Sequence, residues 1–344
     1  MKYNQLGNSD LKVSQFALGC MGFGKGSGKS VNDRSWTVGQ EQADQVIAHA
    51  LDLEVNFFDT APAYQAGASE RILGTALNKL ADRDQVVVAT KFATRLPEEM
   101  KKGISGKEHV VNSLDQSLEN LQMDYVDLYI YHIWDWLTPM EEIAEGLNEV
   151  VKQGKARYIG ISNAYAWQIA QMNAYMKEHD YPQFVSIQDH YNLIYSEDER
   201  KLFTFAHENN LGLTPYSPLA SGRLAHPFGT ETARRKQDTF SAKEKYGKTV
   251  EIDRPIIDRV EELAKKHDVP MAAISLAWLK TKVTAPIVGA TKAHHLDAME
   301  KALQLDLTSD EVAYLEEPYK PHDLEGVMAD NRDRKHNWTD YLTH

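Results

Sequence analysis

The chain is poor in several things, and each shortage removes a class of protein. Among 344 residues there is one cysteine, Cys20, so no internal disulfide can form and a reducing compartment is the natural setting. Following Ala17-Leu-Gly, that thiol reads as a packed small hydrophobe rather than a nucleophile. No window approaches the roughly 18 apolar residues that a membrane span needs. The opening residues, Met1 to Gly7, hold no apolar signal-peptide core, so the expected location is cytoplasmic. Basic residues are outnumbered: 38 Lys and Arg against 50 Asp and Glu give a net charge of -12. That balance argues against a nucleic acid or an anionic membrane surface as main partner and serves solubility. Finally, no stretch rich in Pro, Gly or Ser divides the chain, which favours one domain over two.

What is present is a regular alternation. Strand-like runs fall at about Gln15–Cys20, Val55–Asp59, Val86–Lys91, Val126–His132, Ala156–Ser162, Phe184–Asp189, Gly212–Ser217 and Pro286–Ala290, separated by helical stretches. Ser69-Glu70 opens one helix with a capping residue. Pro139 marks the first turn of another over Met140–Lys152, and Gly154 follows it at the expected C-terminal cap. Lys2–Gln5 and Leu11–Ser14 flank the turn-forming Gly7–Asp10 and predict a hairpin ahead of the main fold. Eight strand-helix alternations in this length predict an α/β fold, a (β/α)8 TIM barrel over 1–320 with a polar C-terminal tail, 321–344. Two further stretches lie outside the alternation, Gly22–Gln40 and Ala220–Thr249. Both follow the C-terminal ends of strands, where this architecture carries function.

Three successive strands deliver polar groups to that rim. Asp59 ends the second barrel strand, with Tyr64 five residues on; Lys91 ends the third; His132 ends the fourth. A carboxylate on an apolar run is costly, so Asp59 titrates, caps a helix or pairs with a cation. Lys91 is such a cation. Its ammonium is expected to lower the pKa of Tyr64, Asp59 to keep Lys91 charged, and His132 to hydrogen-bond a substrate oxygen. The set makes a general acid aimed at a carbonyl. The plainer reading is a buried ion pair beside a packed aromatic and a strand-end histidine; four such groups converging on one rim weigh against it.

The motifs Phe58-Asp-Thr-Ala-Pro-Ala-Tyr64, Ala89-Thr-Lys91, Tyr129-Ile-Tyr-His132, Gly154-Lys-Ala-Arg-Tyr-Ile-Gly-Ile-Ser-Asn163 and Pro215-Tyr-Ser-Pro-Leu-Ala-Ser-Gly-Arg-Leu224 resemble those of the aldo-keto reductase superfamily. Gln188–Tyr195 and Ala285–Thr291 are similar to its bacterial branch of aryl-alcohol-dehydrogenase-like reductases. The resemblance covers about Tyr3 to Pro321. It implies an NADP-dependent oxidoreductase that reduces aldehydes or ketones to alcohols, binding NADP(H) without a Rossmann domain, with Tyr64 as general acid and Asp59, Lys91 and His132 completing a tetrad. It further implies that Ser162, Asn163 and Gln188 hold the nicotinamide carboxamide and Tyr216 stacks on the nicotinamide ring. Ser217, Pro218, Leu219, Ser221, Gly222 and Arg223 would bind the pyrophosphate, and Gly289, Thr291, Lys292 and His295 would surround the adenosine 2′-phosphate. Ala298-Met299 stands where many members carry Glu-Asn against the adenine edge, a departure that weakens or alters that contact.

Other signals carry less. Gly22 to Ser30 looks like a phosphate loop, but the glycine a Walker motif requires is Phe23 and no helix period follows. Trp36 is the candidate lid residue of that loop and Trp134 a candidate lining residue of the mouth, equally readable as packing. His294 and His295 are adjacent and lack a third ligand, so no metal is expected. The partner is a small carbonyl compound, aromatic aldehydes included. A second function, a regulatory NADPH-binding subunit of the channel β-subunit type, shares the fold and the tetrad; the acidic chain offers no membrane-proximal basic segment for it.

Overall fold

The structure is a computed structural model, and it describes residues 1–25, 36–238 and 245–331. Parts of the expected Gly22–Gln40 and Ala220–Thr249 loops, and of the tail from 332 on, lie outside the described residues. Among these, β1 (Tyr3–Gln5) pairs antiparallel with β2 (Lys12–Ser14), giving the expected hairpin. Eight parallel strands follow: β3 (Ala17–Gly19), β4 (Phe57–Asp59), β5 (Val87–Phe92), β6 (Val126–Tyr131), β7 (Ala156–Ser162), β8 (Phe184–Gln188), β9 (Gly212–Leu213) and β10 (Ile287–Gly289). Their order is β10-β3-β4-β5-β6-β7-β8-β9. The free edges meet, because the Ala285 and Ile287 amides donate to the carbonyls of Leu213 (3.2 Å) and Pro215 (2.9 Å). The sheet closes into the (β/α)8 barrel.

Each strand is where the alternation put it, and most are shorter. The seventh shows why: Pro215 has no amide to give to a ladder, so regular pairing stops at Leu213. Single bonds still continue it, Thr214 to the Ile187 carbonyl (2.9 Å) and Tyr216 to the Asp189 carbonyl (3.0 Å).

Alternation along the strands sorts side chains between two cores. Phe57, Val87, Ala89, Leu128 and Ile130 belong to a buried cluster inside the barrel, where Leu6, Leu11 and Val13 of the hairpin region join them. Phe58, Val88, Phe92, Tyr129 and Tyr131 pack outward into the larger core with the helices. The hairpin turn seals the N-terminal end of the barrel: Gly7 lies so close to Val185 and Gly212 that a Cβ there would come within 2.1 Å of a carbonyl oxygen. Residues that continue the inward rows, Asp59, Lys91 and His132, therefore emerge at the opposite end.

The helix over Ala68–Leu80 corrects one expectation. Its cap residue is Gly67, in the left-handed region at φ 77, and Ser69 lies inside the helix. The Ser69 hydroxyl is drawn instead to the Cys20 carbonyl (2.7 Å) and Thr60 Oγ1 (2.9 Å), which ties the helix to the strand ends below Tyr64. The helix over Met140–Lys152 has the expected bounds, with Pro139 as its cap residue rather than in its first turn and Gly154 beyond it at φ 72.

Gly74, on the Ala68–Leu80 helix, meets the end of the helix over Gly106–Leu121 without room for a methyl group; a Cβ would sit 2.0 Å from the Leu121 carbonyl oxygen. Gly74→Ala is expected to destabilise the protein by about 1–3 kcal/mol through overpacking, despite the better helix propensity of alanine. Urea denaturation measures this, and an unchanged or raised midpoint would show that the two helices can separate freely.

Candidate active site

At the C-terminal mouth of the barrel, Lys91 is completely buried on β5 and donates three hydrogen bonds: to Asp59 Oδ1 at 2.6 Å, to the Thr60 carbonyl at 2.7 Å and to the Tyr64 hydroxyl at 3.4 Å. All three protons of the ammonium are used. The second Asp59 oxygen accepts from Gln188 Nε2 at 2.8 Å. Of the three fates open to Asp59, pairing is the one found. The four expected residues come together, since the His132 ring stands edge-on to Tyr64 with centroids 6.3 Å apart.

Tyr64 is followed at once by a strained turn. Gln65 (φ 47), Ala66 (φ 52) and Gly67 (φ 77) are all left-handed, an arrangement costing about 1–3 kcal/mol for each non-glycine residue unless the surroundings impose it. They do so here: Gln65 is buried and its Nε2 donates to the Met21 carbonyl (3.1 Å), while the Gly67 amide donates to the Pro62 carbonyl (2.8 Å).

Protonation follows from burial and from the single ammonium. Desolvation pulls Lys91 down, but Asp59 and Tyr64 together outweigh it and its pKa ends above the ordinary lysine value. For Tyr64, burial pushes the phenol up, and the opposing pull of Lys91 does not cancel it. The expectation of a lowered phenol pKa is thus corrected: Tyr64 holds its proton, because loss of solvent is the larger effect. Burial first, and Lys91 second, bring His132 down to about 3. At neutral pH the mouth contains a protonated phenol, a neutral imidazole and one ion pair.

The positions expected at a carboxamide form one connected set. Ser162 Oγ donates to the Gln188 carbonyl (2.6 Å), and Asn163 Nδ2 donates to the His132 carbonyl (2.9 Å) and to Ser162 Oγ (2.8 Å). Asn163 Oδ1 accepts from the Tyr216 hydroxyl (2.8 Å). Tyr216 stacks on His190 at 5.5 Å and 9°, and His190 on Tyr195 at 4.2 Å and 13°. Next comes a tightly wound segment in which Ser217, Ala220, Ser221 and Gly222 all have positive φ, with Pro218 buried and Leu219 partly so. Cations gather there: the Arg223 guanidinium lies over Tyr246 (4.7 Å), and burial and Arg235 lower its pKa against the opposing pull of Tyr246, Asp253 and Asp238. Lys245 Nζ reaches Ser217 Oγ at 3.3 Å and lies 4.7 Å over the Tyr216 ring. Crowded cations beside an open backbone turn fit a diphosphate.

Gly289, the last residue of β10, is exposed, as are Lys292 and His295 beyond it, while Thr291 is half-buried; the Thr291 amide faces His295 Nδ1 at 3.4 Å. Met299 is 1% exposed within the core and has no surface to offer an adenine edge, and Ala298 is half-buried. Trp36 packs near Gly22 at the start of its loop. Trp134 is buried against Tyr131 (5.8 Å) and begins a row of indoles, Trp134, Trp136 and the exposed Trp167, that leads away over the rim. Among the described residues no group of three or more His, Cys, Asp or Glu side chains is arranged to hold a metal ion, and no helix is long and apolar enough to cross a membrane.

Sequence reasoning missed several participants. The Thr60 carbonyl is backbone and leaves no trace in composition; Asp189 and His190 sit beside Gln188 but were read only as part of a motif; Lys245 and Tyr246 belong to a polar loop with no period.

Removing Lys91 leaves a buried carboxylate that keeps the Gln188 amide as a side-chain partner but has lost its counter-ion. Lys91→Met is expected to destabilise the unliganded protein by about 3–5 kcal/mol, the usual consequence of orphaning one partner of a buried pair, whereas Tyr64→Phe should remain near wild type. Chemical denaturation of both variants measures this; equal stability of Lys91→Met and wild type would mean that Asp59 is protonated or solvated there.

The family model for the aldo/keto reductase family matches residues 16–320. The chain is 36% identical over 341 residues to a Saccharomyces cerevisiae protein provisionally named aryl-alcohol dehydrogenase AAD16, covering 93% of this chain and 98% of that one. It is also 36% identical over 341 residues to versiconal hemiacetal acetate reductase of Aspergillus parasiticus, with the same coverage. An aldo-keto reductase of Metarhizium robertsii, dtxS3, is 35% identical over 348 residues, covering 94% of this chain and 92% of its own. These relatives are fungal, so the likeness is to aryl-alcohol-dehydrogenase-like proteins without pointing to the bacterial branch expected from the sequence. With its matched span covering nearly the whole barrel, the chain belongs to the aldo/keto reductase family.

Proposed function

We propose that this protein reduces aldehydes, aromatic ones among them, to alcohols with NADPH, and that Tyr64 is the proton donor. The observation that carries the reading is the buried Lys91 ammonium, which touches both Asp59 and the Tyr64 hydroxyl. NADPH, when bound, supplies the hydride that adds to the carbonyl carbon. Ser162, Asn163 and Gln188 would orient its carboxamide, and Tyr216 would lie against the ring and fix the reacting face. Ser217, Pro218, Leu219, Ser221, Gly222 and Arg223 would hold the diphosphate, with Lys245 added by its contact to Ser217. Gly289, Thr291, Lys292 and His295 would surround the 2′-phosphate. Trp36 and Trp134 are the proposed substrate-side residues.

Chemistry at the mouth follows from the protonation states. Tyr64 keeps its proton until charge develops on the carbonyl oxygen, and the O–H bond then breaks toward that oxygen. The resulting phenolate forms beside Lys91, whose charge opposes the burial that otherwise disfavours it. Neutral His132 donates one N–H to the same oxygen and adds no competing positive charge. Residues 1–320 form the proposed barrel unit and 321–344 a tail. Cys20, fully buried and free, suits a reducing cytoplasm.

Tyr64→Phe keeps the ring and removes the acid. Turnover of an aromatic aldehyde should fall by about 10²–10⁴-fold while the NADPH dissociation constant stays close to wild type. Retention of full turnover would remove Tyr64 from the role. A wild-type protein that binds NADPH and turns over no aldehyde or ketone would instead support the regulatory-subunit reading.

Cofactor preference depends on the exposed cation after β10. Lys292→Ala should weaken NADPH by about 1.5–3 kcal/mol and leave NADH nearly unchanged, as loss of one charge-assisted bond to the 2′-phosphate requires. Fluorescence titration with both nucleotides decides, and equal losses for the two would refute the assignment.

A further inference from the structure

Asp189 is the first residue past β8, beside Gln188, and its two oxygens have different surroundings. Oδ1 accepts the backbone amide of Asn163, a residue held in the left-handed region at φ 52. Among the described residues Oδ2 has no well-formed hydrogen bond, although the residue is only 5% exposed; the Ala164 amide, next to that of Asn163, also favours the charged carboxylate. Asp189 lines a small cavity with Asp198, Ile187, Tyr191, Leu202 and Pro215, whose space for water centres is about 10 Å³. One water can occupy it.

Among the described residues no cation is paired with either carboxyl. The turn carrying Asp198 also carries Glu197, which accepts from the Tyr319 hydroxyl (2.8 Å) and the His322 amide (3.2 Å) and pairs with Arg200 (3.3 Å). Glu199, on the same turn, accepts from the Tyr191 hydroxyl and lies 3.8 Å from Lys282, itself paired with Glu316 at 2.6 Å. The Tyr216 ring approaches from the loop after β9, with Lys245 over it. Among the described residues no ion pair reaches Asp189 or Asp198. Asp189 is buried and Asp198 half-buried, and two carboxyls facing one such cavity cannot both ionise cheaply.

We propose that Asp189 is a positioning residue which fixes Asn163 in its left-handed conformation at the carboxamide corner, and that Asp189 and Asp198 hold one proton between them across the cavity, directly or through the single water it admits. The first half rests on the proposed role of Asn163; the second does not. Burial, with Asp198 adding to it, pushes Asp189 well above the usual carboxyl range, and burial with Glu197 pushes Asp198 up to about 7. The sign follows. The folded pair keeps a proton that the unfolded chain releases at about pH 4, so its contribution to stability is complete below that pH and is lost as pH rises through about 7.

The test uses the full chain. Denaturation midpoints of the unliganded protein between about pH 5 and 8 are expected to fall with rising pH in wild type and to lose that dependence in Asp198→Asn and Asp189→Asn, whose amides supply the hydrogen that the shared proton supplied. NADPH titration should show Asp189→Ala weakened about tenfold or more, with Asp189→Asn restoring affinity because its amide oxygen still accepts from Asn163. Wild-type pH slopes in both Asn variants, or wild-type NADPH affinity in Asp189→Ala, overturn the proposal. If Asp189→Ala does not fold, the slopes decide. If wild type binds no NADPH, the proposed function fails on its own, and the slopes still decide whether the proton is shared.

Discussion

The contact on which the site depends is the 2.6 Å ion pair between Lys91 and Asp59. An ammonium with no exposed surface survives only where carboxylate and carbonyl oxygens replace its water, and Asp59, Thr60 and Tyr64 do so together. Strand alternation makes the pair unavoidable. Phe57 and Asp59, Val87, Ala89 and Lys91, and Leu128, Ile130 and His132 continue the same inward rows, apolar below and polar at the rim. The hairpin closes the apolar end, which keeps the dielectric low beneath the pair and raises the importance of every polar contact above it.

The rest of the mouth is arranged around that one charge. Gln188 takes the free oxygen of Asp59, and Ser162, Asn163 and Tyr216 extend the chain of bonds to the His190–Tyr195 stack. The left-handed turn at Gln65–Gly67 follows Tyr64 directly and is pinned to the Met21 and Pro62 carbonyls. Burial keeps the phenol protonated and the imidazole neutral, so Lys91 is the cation in direct contact with the phenol. A developing oxyanion would therefore meet two neutral donors backed by a fixed positive charge, an arrangement that favours proton delivery over proton storage.

Much of this was legible in the sequence because barrels translate periodicity into position. Eight strand-like runs marked the strands, and the polar ends of three successive ones brought Asp59, Lys91 and His132, with Tyr64 just beyond Asp59, to one rim. What resisted reading depends on distances that no spacing encodes. The direction of the Tyr64 shift is a contest between desolvation and one ammonium, and only the depth of the phenol decides it. Ser69 looked like a cap because capping residues are short and polar; its hydroxyl instead met the Cys20 carbonyl, brought near by a strand fifty residues earlier in the chain. Trp134 has the composition of a mouth residue and the burial of a core one. Lys245 comes to Ser217 through a long connection without a pattern.

The central claim is that Lys91 acts through Tyr64, and a double-mutant cycle tests it most directly. Single-turnover oxidation of bound NADPH by an aromatic aldehyde would be compared among wild type, Tyr64→Phe, Lys91→Met and the double variant, each verified as folded by circular dichroism. If the two side chains work as a unit, the double variant should be no slower than Tyr64→Phe alone. Losses that multiply would mean that Lys91 and Tyr64 contribute independently, and would contradict the account.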